Sequence, residues 1–246
     1  MTLRASLLLI FAAISMNNAR ANILSIGAGG LYHLSPYAEY KDDVTAIPFA
    51  HYESDKIYVR ETSIGYIFAK DESNEISAIV SYLPYEFKPE DSDNKALKKL
   101  DKRDTTALAG LAFYHHEKWG TLKASFSGDI LDNSNGFIGE LSYLRVITMG
   151  ALSIIPSAGV TWYGDKLTQY YFGVSDKEAH YSGLSRYQPG DSWNPFVGLS
   201  VSYKITPQLT LLTSGRYTQL DNQIANSPMA DKDHDASLMG GVSWTF

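Results

Sequence analysis

Side-chain character alternates every second residue over much of the chain. Trp193, Pro195, Val197, Leu199, Val201, Tyr203 and Ile205 fall on one face, with Asn194, Phe196, Gly198, Ser200, Ser202 and Lys204 on the other. A period of two places alternate side chains on opposite faces of a β-strand. Leu152, Ile154, Pro156, Ala158, Val160 and Trp162 alternate in the same way against Ser153, Ser157, Gly159 and Thr161. So do Leu122, Ala124, Phe126, Gly128 and Ile130 against Thr121, Lys123, Ser125, Ser127 and Asp129, and Leu209, Leu211 and Tyr217 against Thr210, Ser214, Arg216 and Thr218. The chain ends on Leu238, Gly240, Val242, Trp244 and Phe246 along one face. Segments of about ten residues, apolar outward and polar or small inward, are the signature of a transmembrane barrel. Lipid requires such a sheet to close, because an open edge leaves backbone groups unsatisfied. The fold class expected is therefore all-β, a transmembrane antiparallel up-and-down β-barrel.

Read back from Phe246, the strands expected are 236–246, 208–219, 193–205, 150–163, 136–147, 119–131, 104–117, 75–87, 56–70, 44–53 and 23–34. If Phe246 ends in the periplasm, the linkers at 206–207, 148–149, 118 and 71–74 are periplasmic, and they are short. Those at 88–103, 132–135, 164–192 and 220–235 then face outward, and all but one are long, as outer loops should be. Bacterial barrels have an even strand number. Either 56–70 breaks in two near Thr62-Ser63, giving twelve strands, the reading preferred, or 23–34 lies outside the wall, giving ten. Trp193 and Tyr203 sit ten residues apart on the outward face. At ~3.3 Å per residue and a tilt near 45° they span about 23 Å, close to the ~25 Å apolar band. With Trp162 and Tyr217 they are expected at the lipid–water interfaces, where an apolar ring with a polar tip is at home. The aromatic carboxyl end, with Leu238, Val242, Trp244 and Phe246 on one face, resembles the assembly signal of bacterial outer-membrane barrels.

Met1 to Ala21 reads as a secretory leader: Arg4, an apolar run from Ala5 to Met16, and an Ala19-Arg-Ala21 end expected to be cleaved after Ala21. The run is shorter than the ~20 residues a membrane-spanning helix needs. A mean hydropathy of -0.18 would suggest a soluble protein, but in a barrel only alternate residues face lipid. With no cysteine, thiolate zinc sites, disulfides, cysteine nucleophiles and lipid anchoring through a thiol are all excluded. Twenty-one basic against 27 acidic residues make nucleic acid an unsuitable partner. Barrel domain 22–246 and leader 1–21 are the two parts expected.

Several motifs are more specific. The block 100–111 (LDKRDTTALAGL), then Trp119-Gly-Thr-Leu, Ser127-Gly-Asp-Ile-Leu-Asp-Asn-Ser-Asn-Gly136, Tyr170-Tyr-Phe-Gly-Val-Ser-Asp-Lys-Glu, Ser182-Gly-Leu, Asp191-Ser-Trp-Asn-Pro and Asn226-Ser-Pro-Met-Ala-Asp resemble the MipA/OmpV family of outer-membrane proteins, over nearly all of the chain after residue 23. The family is named for a member that looks like a scaffold, joining the lytic transglycosylase MltA to a bifunctional penicillin-binding protein. The resemblance implies a non-enzymatic scaffold at the outer membrane, with lipid, lipopolysaccharide and the barrel-assembly machinery as further partners and no cofactor.

The family-motif residues Asp129, Asp132, Asn133, Asn135 and Gly136, and Ser227, Pro228 and Met229, fall at strand tops and in an outer loop. They could bind a ligand or cation, but Asp, Asn, Ser and Gly are also what tight turns require, which is the preferred reading. Asp231, Asp233 and Asp235 alternate, yet lack the Gly and terminal Glu of a calcium loop. A membrane lipase would need Ser and His in hydrogen-bond reach. A hairpin near Lys118 sets His115 opposite Leu122 and Ser125 opposite Ala112, roughly 10 Å apart along the strand at ~3.3 Å per residue. Lys123, Asp129, Lys204 and Arg216 face inward, where pairing of the Lys123–Asp129 kind is expected. The mixed charges of 88–104 favour internal salt links. Small polar inward residues leave a second reading open, a channel for hydrophilic solutes.

Overall fold

A computed structural model describes residues 23–41 and 44–246, so the expected leader with Ala19 and Ala21 lies outside the described residues. Thirteen strand segments follow in order: β1 (Ile23–Leu34), β2 (Val44–Glu53), β3 (Ile57–Arg60), β4 (Ser63–Lys70), β5 (Asn74–Leu83), β6 (Thr106–Glu117), β7 (Gly120–Asp129), β8 (Phe137–Leu144), β9 (Ile147–Met149), β10 (Leu152–Tyr163), β11 (Ser192–Lys204), β12 (Leu209–Gln219) and β13 (His234–Thr245). Neighbours pair antiparallel, and β13 returns to β1 from Ser25–Thr245 to Leu34–Ala236, which closes the sheet.

The wall holds twelve strands, because β8 and β9 pair one after the other with β10. The interruption has a local cause. Arg145 N–H donates to Pro156 O at 3.2 Å, but Pro156 has no N–H to return. The 56–70 region does split, with β3 ending at Arg60 and β4 starting at Ser63 around Glu61, whose φ is +52°. The strand expected at 75–87 is shorter, ending at Leu83, where Pro84 leaves the ladder.

Alternation sorts the faces as expected. Val197, Leu199, Leu238, Val242, Trp244 and Phe246 are exposed on the outside, while Asn194 and Phe196 are buried. Phe246 N–H donates to Leu24 O at 2.9 Å, tying the carboxyl end to the first strand. Inside the barrel Phe49 packs with Leu31, Ile47, Leu212 and Met239, and Tyr58 with Ile67, Ile79 and Ala112. Both rings lie against glycine: a Cβ on Gly27 would sit 2.2 Å from Phe49, and one on Gly65 2.1 Å from Tyr58. Short turns join strands at one end, the periplasmic end by the length rule. The long connections at the other end carry α1 (Asp165–Phe172), α2 (Asp176–Ser182) and α3 (Asn222–Ala225).

Candidate functional site: a capped chamber in the lumen

The outer loops fold inward and build a core of their own. Tyr37, Phe87, Leu97, Leu100, Leu167, Tyr171, Phe172, Val174, Ile224 and Met229, from four separate connections, pack with the inward strand-top residues Leu83, Leu108 and Tyr163. Tyr37 sits at the centre, its ring 4.9 Å from Phe87 and 5.4 Å from Phe172, and its hydroxyl donates to Tyr171 O at 3.1 Å. Burial pushes that hydroxyl's pKa well above the ordinary tyrosine value, so it stays a donor. Cross-loop bonds fix the arrangement. Ala38 N–H donates to Met229 O at 2.8 Å, Ser227 Oγ to Phe172 O at 2.6 Å, and Tyr171 Oη to Asp104 O at 3.0 Å.

One ion pair is buried in the cap. Arg103 Nη2 donates to Glu178 Oε1 at 2.6 Å, both side chains under a tenth exposed. Glu178 also closes a capping box at the start of α2, its carboxylate accepting from Ser175 N–H while Ser175 Oγ accepts from Glu178 N–H. Burial pushes the Glu178 pKa up, but the Ser175 hydrogen bonds and the Arg103 guanidinium outweigh it and hold the carboxyl below its usual value.

Beneath the cap lies a chamber of about 510 Å³. Its charged belt is Lys123, 3.2 Å from Glu140 and 3.5 Å from Glu61, and Arg216, 3.5 Å from the other Glu140 oxygen. Arg216 also donates to Thr161 Oγ1 at 3.0 Å and stacks over the Phe196 ring at 3.5 Å. The chamber's lining reaches down to Tyr114, Leu144, Ile155, Ser200 and Met239. Beside that lining the lumen holds Phe49, Tyr58, Leu212 and a second network. There Arg60 donates to Glu53 and, at 2.6 Å, to Glu75, with Lys70 3.0 Å from Glu75.

Lys123 does not pair with Asp129, the partner expected from sequence; it pairs with Glu140 and Glu61. Asp129 is taken up by its own turn, accepting from Thr106 Oγ1 at 2.5 Å and from the N–H groups of Leu131, Ser134 and Asn135. Asp132 and Asn135 adopt positive φ, 57° and 53°, and Asn133 donates to Thr105 O at 2.9 Å. Gly136 leaves room for Leu167 of the cap: a Cβ there would lie 2.5 Å from Leu167 N. Met229 and Ser227 are buried in the cap and Pro228 is half-buried. Trp193, Tyr203 and Tyr217 are exposed on the outer face, with Trp162 beside Trp193 at 6.3 Å.

The hairpin sets His115 opposite Leu122 and Ser125 opposite Ala112, so no Ser–His dyad forms there. His115 instead meets Asn74 at 2.9 Å and His116 meets Thr121 at 3.0 Å. Among the described residues no group of three or more His, Asp or Glu side chains is placed to hold a metal. Asp235 meets His33 at 2.8 Å, Asp233 meets His234 at 2.9 Å, and Asp231 accepts from Glu39 N–H at 3.2 Å. In the 88–104 loop Lys88 pairs with Glu86 at 2.7 Å and Lys102 with Asp104, while Arg103 reaches across to α2. Two parts of the site had no clear sign in the alternation. Glu140 sits on a strand whose inward face carries few other charges, and the cap core comes from loops without a period. The Ser175–Glu178 capping-box spacing was the one local signal for a helix there.

The pattern described as "MltA-interacting protein MipA" matches residues 26–246. The chain belongs to the MipA family. It is 44% identical over 246 residues, the full length of both chains, to the putative outer membrane protein YiaT of Escherichia coli K12. It is 36% identical over 222 residues, 90% of each chain, to the MltA-interacting protein of the same organism. Among solved structures it resembles an outer membrane channel from Pseudomonas putida F1, with a TM-score of 0.46 and 9% identity over 96% of this chain and 99% of that one. This MipA-family chain is an outer-membrane β-barrel.

Proposed function

We propose that this MipA-family barrel is a non-enzymatic interaction protein that docks a murein-cleaving transglycosylase of the MltA type at the outer membrane, and through it a bifunctional penicillin-binding protein. The observation that carries this reading is the obstructed lumen. Apolar loops pack across the outer mouth, and Phe49, Tyr58, Leu212 and the Arg60 network occupy part of the lumen beside the chamber. A conduit needs a continuous aqueous path, whereas a docking protein needs only its surfaces. The 36% identity to a relative named for its interaction with MltA supports the choice of partner. Co-purification from a tagged strain tests it: MltA enriched over other barrels is the expected result, and equal recovery with an unrelated barrel sinks the proposal.

The route to the membrane belongs to the same proposal. The leader is removed after Ala21, the assembly machinery reads Leu238, Val242, Trp244 and Phe246 on the last strand, and lipopolysaccharide surrounds the outer rim. Amino-terminal sequencing of the mature protein is expected to begin at Asn22. Phe246→Ala is expected to lower the amount assembled in the outer membrane, with the undelivered chain degraded in the periplasm.

A further inference from the structure

The wall is not paired all the way round. β2 is ten residues long, yet it meets β3 only through Tyr52 and Glu53. The β3–β4 hairpin turns at Glu61-Thr62, and among the described residues no strand pairs with Val44–Ala50 on that side. At ~3.3 Å per residue this leaves about 20 Å of strand edge. Register shows which groups line it. Phe246 bonds to Leu24, and the β13–β1 and β1–β2 ladders run without a shift. Alternate β1 residues counted from Leu24 therefore bond to β13, and those from Ser25 bond to β2. On β2, Thr45, Ile47, Phe49 and His51 turn their backbone groups to β1, while Ala46, Pro48 and Ala50 turn theirs to the open side. Pro48 has no N–H to offer there, as suits an edge. The missing donor also weakens the edge as a template for an added protein strand.

The gap is framed on its other sides. Glu61-Thr62 forms its sill, and Tyr82 N–H donates to Thr62 O at 2.9 Å. Above, Lys41 N–H donates to Asp91 O at 3.1 Å and Asp93 N–H to Glu39 O at 2.8 Å. Thr45, Glu61, Thr62, Tyr82 and Pro84 all line the chamber, so the chamber reaches the gap. Outside, Val44, Ile64 and Val80 are exposed on the apolar belt, and Val44 is at the outer end of β2. The gap therefore faces the lipid of the outer leaflet.

We propose that this gap is a lateral port through which a single-chain amphiphile with a zwitterionic headgroup passes from the outer leaflet into the chamber. Leu31, Leu83, Leu108 and Tyr163 offer an apolar wall for the chain. The paired charges of Lys123, Arg216, Glu140 and Glu61 match a headgroup bearing both signs. A chamber of about 510 Å³ is of the size that encloses one small ligand. The port stands independently of the docking role, since it needs no protein partner.

The chain has no cysteine, which allows a clean test in phosphatidylcholine vesicles. Ser125→Cys reports from the chamber and Val197→Cys from the lipid-facing wall. N-dodecylmaleimide dissolved in the bilayer is expected to label Ser125→Cys at least tenfold faster than in the same protein carrying Thr62→Trp at the sill. A second blocking variant, with two residues added to each arm of the β3–β4 hairpin, is expected to slow it likewise. Val197→Cys should label equally in all three backgrounds, which reports that each has folded and inserted. Lysophosphatidylcholine should slow labelling at Ser125→Cys at least threefold and leave Val197→Cys unchanged. Equal rates with and without the blocking changes, or no effect of the lysolipid, would overturn the proposal. So would labelling of Ser125→Cys by a sulfonated, water-borne maleimide as fast as by the alkyl one.

Discussion

The wall and the cap are made from one chain but held together in opposite ways. In the wall, apolar side chains point outward to lipid and the ladder of backbone hydrogen bonds closes on itself from β1 to β13. In the cap, apolar side chains point inward and pack on one another: Tyr37, Phe87, Phe172, Ile224 and Met229 are almost fully buried. Outside the unpaired edge of β2, the wall satisfies its backbone before any side chain is considered. The cap is held by side-chain burial, by cross-loop bonds and by one enclosed ion pair, as a water-soluble core would be. Side-chain truncation should therefore unfasten the cap while the wall stays closed.

The largest separation is expected for Phe87→Ala. Removing a fully buried ring typically costs 3–5 kcal/mol, so about 4 kcal/mol of cap stability should go. Limited proteolysis should then cut 84–105 and 164–191, while the unboiled barrel still migrates as a folded species in a detergent gel. Glu178→Ala follows at about 3 kcal/mol, because it leaves Arg103 buried without its partner, and the same proteolysis reads it.

Acid acts at that point as well. The Glu178 carboxyl is held below its usual value in the folded protein. Its contribution is fully present above the unfolded value of about 4.3 and is lost as the pH falls through the lower folded value. Protease sensitivity of the cap should thus rise only below about pH 4.3, with the barrel band unchanged. Glu178→Gln should flatten that acid-dependent step.

Glu140→Gln is smaller, about 2 kcal/mol, since Lys123 keeps Glu61 and Arg216 keeps Thr161 and Phe196. It should lower the urea midpoint of the wall and leave the cap's protease pattern alone. The smallest effect is expected for Trp193→Ala, about 1 kcal/mol from the lost pairing of this exposed ring with Trp162. A midpoint shift as large as that of Glu140→Gln would place more of the wall's stability in the girdle than its exposure suggests.

The same contrast explains what could be read from the residues alone. A two-residue period is visible wherever one face meets lipid and the other the lumen. The strands containing Trp193–Tyr203 and Leu152–Trp162 could therefore be placed to within a residue or two. The split of 56–70 was one of two ways to reach an even strand number, and the shortness of β3 was not legible, because its extent depends on how far β2 slides past it. The cap has no period. Tyr37, Phe87, Phe172 and Met229 lie up to 192 positions apart in the numbering and meet only after the loops cross the mouth. Tyrosines that could all have been girdle residues are partly cap residues instead, Tyr37, Tyr163 and Tyr171 among them. Glu140 illustrates a further limit: the sequence supplied the inward cations, but only the register of β7 on β8 brings this carboxylate to Lys123.

Whether the cap and the inward side chains beside the chamber close the barrel is most directly tested by planar-bilayer recording of the refolded protein. The structure predicts a silent bilayer at neutral pH, with the folded state verified on the same preparation. Reproducible stepwise conductance from the unmodified protein would contradict it, and would favour the channel for hydrophilic solutes over the docking role.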